Sequence, residues 1–169
     1  MAHLLYLLSM WLHILAAAAW IGGMLFLVLV IVPLLRRPEL RAQAAQLVRQ
    51  TGRRFRTVGW AALWILLLTG TFNLLYRGIG LEALARLEFW QGPFGRALAI
   101  KLALVAVVLL LSGVHDFFVG PRATEAWQSD PGSARALRLR RSASWMGRLN
   151  LLLALVIVAM AVILVRGWP

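Results

Sequence analysis

The chain is 169 residues long and 62% hydrophobic, with no cysteine and a formal net charge of +12. That much apolar surface exceeds what one soluble core of this length hides, which excludes a soluble globular domain, and the missing thiols exclude disulfides, thiolate metal centres and iron–sulfur clusters. The basic excess fits anionic lipid headgroups and not nucleic acid, because the arginines gather beside the apolar runs.

Four apolar stretches, about residues 4–35, 58–76, 97–119 and 149–165, each meet the need for about 20 apolar residues to cross a bilayer as a helix. The expected fold is all-α: a polytopic membrane protein whose four transmembrane helices form one bundle, a single transmembrane domain over residues 1–169. A barrel is disfavoured, since the runs are long and rich in Leu and Ala instead of short and alternating. The first stretch has no basic flank at its start and stays apolar through Pro33, so it reads as mature structure and not as a signal peptide.

After it, "RRPELRAQAAQLVRQTGRRF" reads as a short separate helix, with Pro38 in its first turn and Gly52 at its end. Beyond the second stretch, "LEALARLEFWQGPFG" reads as a short interfacial helix between helices two and three. There Leu81, Leu84, Leu87 and Trp90 face lipid, and Gly92–Pro93 turns the chain into the third stretch. "TEAWQSDPGSARALRLRR" reads as a polar loop around a DPG turn. Trp11, Trp60, Trp90, Trp145 and Trp168 are expected interfacial anchors.

The connection from Arg36 to Arg56 carries Arg36, Arg37, Arg41, Arg49, Arg53, Arg54 and Arg56 against Glu39. The connection after the third stretch carries Arg122, Arg135, Arg138, Arg140, Arg141 and Arg148 against Glu125 and Asp130. The connection between them holds Arg77, Arg86, Arg96 and Lys101, partly balanced by Glu82 and Glu88. The positive-inside bias then puts the first and third connections in the cytoplasm and both termini outside, in a bacterial inner (plasma) membrane.

An ionisable group inside hydrocarbon costs about 3 kcal/mol on insertion scales, so such residues mark a site or a buried partner. They are His13, Asn73, Lys101, His115, Asp116 and Asn150. His13, Asn73 and Lys101 are expected in one layer near the outer face. Met10 lies one turn from His13, and Met24 returns to its face roughly 16 Å deeper. Met160 of the fourth stretch also falls outside the midplane. His115 and Asp116 are expected roughly 21 Å below Lys101, with Asn150 at their level. The two imidazoles therefore do not share one ion. Met10, Met24, His13, His115 and Asp116 are the candidate metal ligands, since thioether and imidazole suit Cu(I). Each has a plainer alternative: His13 as an interhelical hydrogen-bond donor, Lys101 snorkelling outward, His115 and Asp116 as a solvated pair, the methionines as packing.

The run "LHILAAAAWIGGMLFLVLVIVPLLRR" resembles the opening helix of the copper-resistance protein D (CopD) family, with its Leu-His pair, Trp-Ile-Gly-Gly and Pro-basic exit. "RRFRTVGWAALWILLLTG" and "GPFGRALAIKLALVAVVLLLSGVHDF" resemble that family's next two helices, so the likeness spans most of Leu12 to Phe118. It implies copper uptake, transfer or resistance, with a periplasmic metallochaperone as a partner. The spacing of His13, Trp20 and Gly23 also resembles the first helix of HemJ-type membrane heme proteins. That likeness implies heme b as an alternative cofactor, with His13 as its ligand and Lys101 in its pocket; Trp20, Gly23, Asn73 and Met160 are the further candidate cofactor-binding residues. The protein would then be a heme-dependent oxidoreductase, quinone-linked or joined to a respiratory complex. On the copper reading it is not an enzyme, and no catalytic residue is assigned. A third reading is a non-catalytic accessory subunit of a membrane complex. A homodimer is compatible with all three. No phosphate-binding loop, HExxH or nucleophile motif is present, which leaves hydrolysis and nucleotide-driven work unsupported.

Overall fold

The structure, a computed structural model, describes residues 1–40 and 43–166. Trp168 and Arg41, an expected anchor and an expected interfacial charge, lie outside the described residues. Among those residues there is no strand, and four helices are long and apolar enough to cross a membrane. They are α1 (Ala2–Leu34), α2 (Ala44–Tyr76), α5 (Pro93–Ser129) and α6 (Ala134–Arg166). Two short helices, α3 (Leu81–Ala85) and α4 (Leu87–Gln91), lie between α2 and α5. The all-α membrane bundle expected from composition is what forms.

Helix α1 packs along α2 and α5 along α6; α1 against α6, and the inner part of α5 against α2, close the bundle. A reciprocal fit locks the first pair. The ring of Phe55 on α2 occupies the space where Gly23 of α1 would carry a Cβ, and Trp20 of α1 covers Gly59 of α2, where a Cβ would sit 3.6 Å from its Cδ1. Each helix thus supplies one small residue and one aromatic. Close approach of this kind drives helix association where lipid leaves little hydrophobic gain. Ala16, Trp20, Met24, Ala62, Leu63, Val108 and Ala154 make the buried centre.

The long helices differ from their expected bounds. Helix α2 starts at Ala44 and runs through Gly52, which does not end it, so the expected separate helix is reduced to one 3-10 turn at Pro38–Leu40 and the rest of that segment belongs to the second span. An interior glycine costs about 1 kcal/mol in a helix, less than the hydrogen bonds a break would forfeit. Helix α5 continues to Ser129 and α6 begins at Ala134, so the expected polar loop shrinks to one turn. There Asp130 Oδ1 accepts from the Gly132 amide at 3.2 Å, and Ser133 Oγ caps α6 by accepting from the Ala136 amide at 3.2 Å. At 33 residues, α2 and α6 are each about 50 Å long, against about 30 Å of hydrocarbon. The surplus carries the arginines beyond the bilayer as helix.

Two turns widen where proline enters. Val32 donates to the Leu27 carbonyl and Gly120 to the His115 carbonyl, five residues back instead of four. Pro33 and Pro121 follow, and the carbonyl each ring would strike, that of Leu29 or Phe117, lies inside the widened turn.

Helix α2 ends in a Schellman motif: Gly78 takes φ +78°, Ile79 donates to Leu74 and Gly78 to Leu75. The interfacial segment is two helices, not one, because Arg86 is extended (φ −86°, ψ 128°). Leu81 and Leu87 face outward, whereas Leu84 and Trp90 are half-buried, and the Trp90 indole donates to the Leu84 carbonyl at 2.8 Å. That bond satisfies an orphan carbonyl near the end of α3 and draws Trp90 away from lipid. Trp11 and Trp145 are exposed as anchors should be.

Candidate functional site

On α1, Ser9, His13, Ala16, Trp20 and Met24 recur at helical spacing on one stripe that faces the bundle. His13 is half-buried there, at the end of the bundle opposite the arginine-rich connections. Its Nδ1 lies 2.7 Å from Thr69 Oγ1 on α2. The Thr69 hydroxyl has a single proton, and its 2.6 Å bond to the Ile65 carbonyl uses it. Thr69 therefore accepts from His13 Nδ1–H. The network thus assigns the tautomer in which Nε2 keeps its lone pair, and Nε2 has no hydrogen-bond partner among the described residues. The imidazole edge rests on Gly70, where a Cβ would stand 3.4 Å from Cε1. Ser9 Oγ donates to the Thr69 carbonyl at 3.4 Å, tying the same two helices one turn away.

Asn73, one turn beyond Thr69, has a buried Oδ1 without a partner. Lys101 of α5 is half-buried and within Coulombic reach of both His13 and Arg77. Among the described residues no carboxylate pairs with Lys101; the one ion pair is that of His115 and Asp116. His13, Asn73 and Lys101 lie at one end of the bundle, with Asn73 and Lys101 about one turn, roughly 6 Å, further out than His13 by residue count. Ser9 and Thr69 lie at that end too. The sequence signal for Ser9 is its place one turn before His13; Thr69 carries no comparable signal.

A second polar group lies deeper. Asn150 Nδ2 donates to Ser112 Oγ at 3.0 Å and approaches Met24 Sδ at 3.8 Å, joining α6, α5 and α1. Asn150 Oδ1 is buried and unpartnered. Between this node and His13 sit Ala16, Trp20, Ala62, Leu63, Val108 and Ala154, a buried apolar layer. Met10 is half-buried beside His13 on α1, and Met160 is buried on α6. Replacing Asn150 by leucine together with Ser112 by alanine is expected to leave stability unchanged or to raise it by up to about 1 kcal/mol, because both bonded partners and the orphan Asn150 oxygen leave the interior at once. A clear drop in a detergent melting experiment would refute that.

His115 and Asp116 form a clasp between α5 and α2. His115 Nδ1 bonds Asp116 Oδ1 at 2.8 Å, Trp60 Nε1 donates to Oδ2 at 3.0 Å, and Arg56 donates to the Asp116 carbonyl at 2.8 Å. Both carboxylate oxygens are engaged. Trp60 is thus a bundle residue and not a lipid anchor. On α2, Thr69 marks the level of His13 and Trp60 that of Asp116; nine residues at 1.5 Å put the two imidazoles roughly 14 Å apart along the axis. They do not share a centre. Among the described residues no group of three His, Asp or Glu side chains converges as a metal cage. The Cβ side of Gly23 is taken up by Phe55, and Trp20 is packed on Gly59, so neither opens toward a flat cofactor.

With this geometry in view, the family model described as Copper resistance protein D matches residues 49–164, from within α2 to near the end of α6. The likeness read from Leu12 to Phe118 thus shifts toward the C-terminal half, leaving α1 outside the matched stretch. A protein of Aquifex aeolicus (strain VF5), described as uncharacterized, is 32% identical over 163 residues, covering 95% of this chain and 96% of its own. No solved structure matches.

Proposed function

Given that the chain belongs to the copper resistance protein D family, a multi-pass membrane protein with four spanning helices, we propose that it takes up Cu(I) at His13. The reading is carried by one observation: the Thr69 contact fixes Nδ1 as the donor and leaves Nε2 as the free nitrogen. Orientation of a ligating imidazole through its other nitrogen is the usual outer-shell arrangement of protein metal sites. Met10, on the same helical face three residues away, is the nearest thioether in sequence, a soft donor matched to Cu(I). Lys101 opposes a further positive charge nearby, which keeps the hold weak enough for the ion to leave.

The arginine-rich end faces the cytoplasm and both termini face outside, following the positive-inside bias. His13 then meets copper delivered from the periplasmic side of a bacterial inner membrane, where a metallochaperone is the fitting donor. Met24 with Asn150 is the next group inward, and passage to it requires the apolar layer around Trp20 to part.

Titration of the detergent-purified chain with Cu(I) against a chromogenic chelator tests the reading. Thr69→Val, which keeps the shape and removes the orienting oxygen, is expected to weaken copper binding about 10–100-fold with the fold intact. A wild-type chain that binds no Cu(I) would sink the proposal. So would a Soret band in the purified protein, which would instead mark His13 as a heme ligand.

A further inference from the structure

Outside the His13 layer and the His115 clasp, one side-chain cluster has no role in copper capture. Arg122 on α5, and Arg135 and Arg138 on α6, line a cavity of about 380 Å³ together with Leu139. All three guanidinium-bearing residues are exposed. The acidic residues of this hairpin, Glu125 and Asp130, pair with none of them, for the one ion pair among the described residues is elsewhere. Asp130 is engaged in its own turn through Gly132. Arg140, by contrast, stacks 3.6 Å over the Trp127 ring and stands outside the cavity lining.

Three like charges around one hollow repel unless an anion joins them. Guanidinium forks match the paired oxygens of a phosphate. The place of the cavity beside the apolar spans points to a lipid phosphate. Phe117, Phe118 and Trp145 are exposed large aromatics near this end. Around the Asp130–Ser133 turn the two antiparallel helices bring Trp145 level with Phe118, which marks an aromatic belt at the lipid boundary. Arg122 follows Phe118 by four residues, about 6 Å along the helix, the thickness of a headgroup layer. Its guanidinium reaches back over the Phe118 ring at 6.0 Å, joining the belt to the cavity.

We propose that the cavity of Arg122, Arg135 and Arg138 is a binding site for the phosphate-bearing headgroup of an anionic phospholipid in the leaflet at the arginine-rich end. Leu139 and the flanking aromatics give its apolar part a surface to lie on. The site does not depend on copper binding at His13.

Native mass spectrometry of the full chain in detergent, titrated with phosphatidylglycerol or phosphatidylcholine, reads the binding directly. Phosphatidylglycerol is expected to bind the wild type in preference to phosphatidylcholine. The triple variant R122Q/R135Q/R138Q is expected to bind it more weakly by roughly fivefold per lost arginine, on the order of a hundredfold in all. R49Q/R53Q/R54Q, which removes the same charge from exposed positions of α2, is expected to bind as the wild type does. Should the first triple variant not fold, R138Q alone is expected to lose roughly fivefold. Equal binding of phosphatidylcholine, equal weakening in the α2 variant, or displacement of the lipid by inorganic phosphate at matched concentration would each overturn the assignment, the last by making it a site for a free anion.

Discussion

Gly95→Ala is expected to destabilise the protein by about 3 kcal/mol, the upper end of what overpacking costs. Gly95 is buried in the first turn of α5, and a Cβ there would overlap the Phe89 carbonyl and crowd the Trp90 Cα. These are backbone atoms of α4, so no rotamer change relieves the clash. Helix α4 cannot slide away cheaply either: Trp90 is bonded to Leu84, and Phe89 packs edge-on to Trp90 and Phe94 with ring centres 5.1 and 6.2 Å apart. The variant should melt at a lower temperature in detergent and become sensitive to protease between Ile79 and Gly92. Gly52→Ala is the control, because nothing lies within 4 Å of that position and it sits within a helix, where alanine is favoured. Equal melting temperatures for Gly95→Ala and the wild type would show that α4 is not seated as described.

His13→Ala is expected to lower Cu(I) affinity more than about a hundredfold, beyond the effect of losing an orienting partner. The expected cost in stability is small, since Thr69 keeps its bond to the Ile65 carbonyl and no buried donor is orphaned. His115→Ala should do the reverse. Copper affinity should stay near wild type, because His115 lies a different layer away and is held by Asp116, while the melting temperature should fall as the clasp of α5 on α2 loosens. Competition titration and melting on the two variants separate the roles. Copper binding that survives in His13→Ala and is lost in His115→Ala would reverse the proposed site.

Much of the fold was legible in the chain because the bilayer restricts it severely: a run of apolar residues long enough to span must satisfy its own backbone, and a helix does so within the segment. The same logic hid the true helix ends. Ala44–Thr57 and Gly120–Ser129 are polar enough to look like connections, yet helix costs them little once a spanning segment has nucleated it. The widened turns could be placed from Pro33 and Pro121, but their consequence for His115, whose carbonyl accepts the long bond, needed coordinates. Of the site, His13, Asn73 and Lys101 were found by their chemistry, because an ionisable or amide group in hydrocarbon stands out. Thr69 was not, since its hydroxyl bonds its own helix and a small hydroxyl does not stand out among apolar residues, and Ser9 showed only in its spacing from His13.

By itself, then, the sequence determined that the chain crosses a membrane as four helices, which ends carry the arginines, and which few polar groups lie inside, because length, hydropathy and charge are sums along the chain. Only the packed structure decided which nitrogen of His13 is free, that Phe55 and Trp20 fill the notches of Gly23 and Gly59, and that Asp116 holds Trp60. Those outcomes depend on how α1, α2 and α5 are rotated against one another, and rotation is set by the fit of particular side chains across helices far apart in sequence, which no periodicity within one helix encodes.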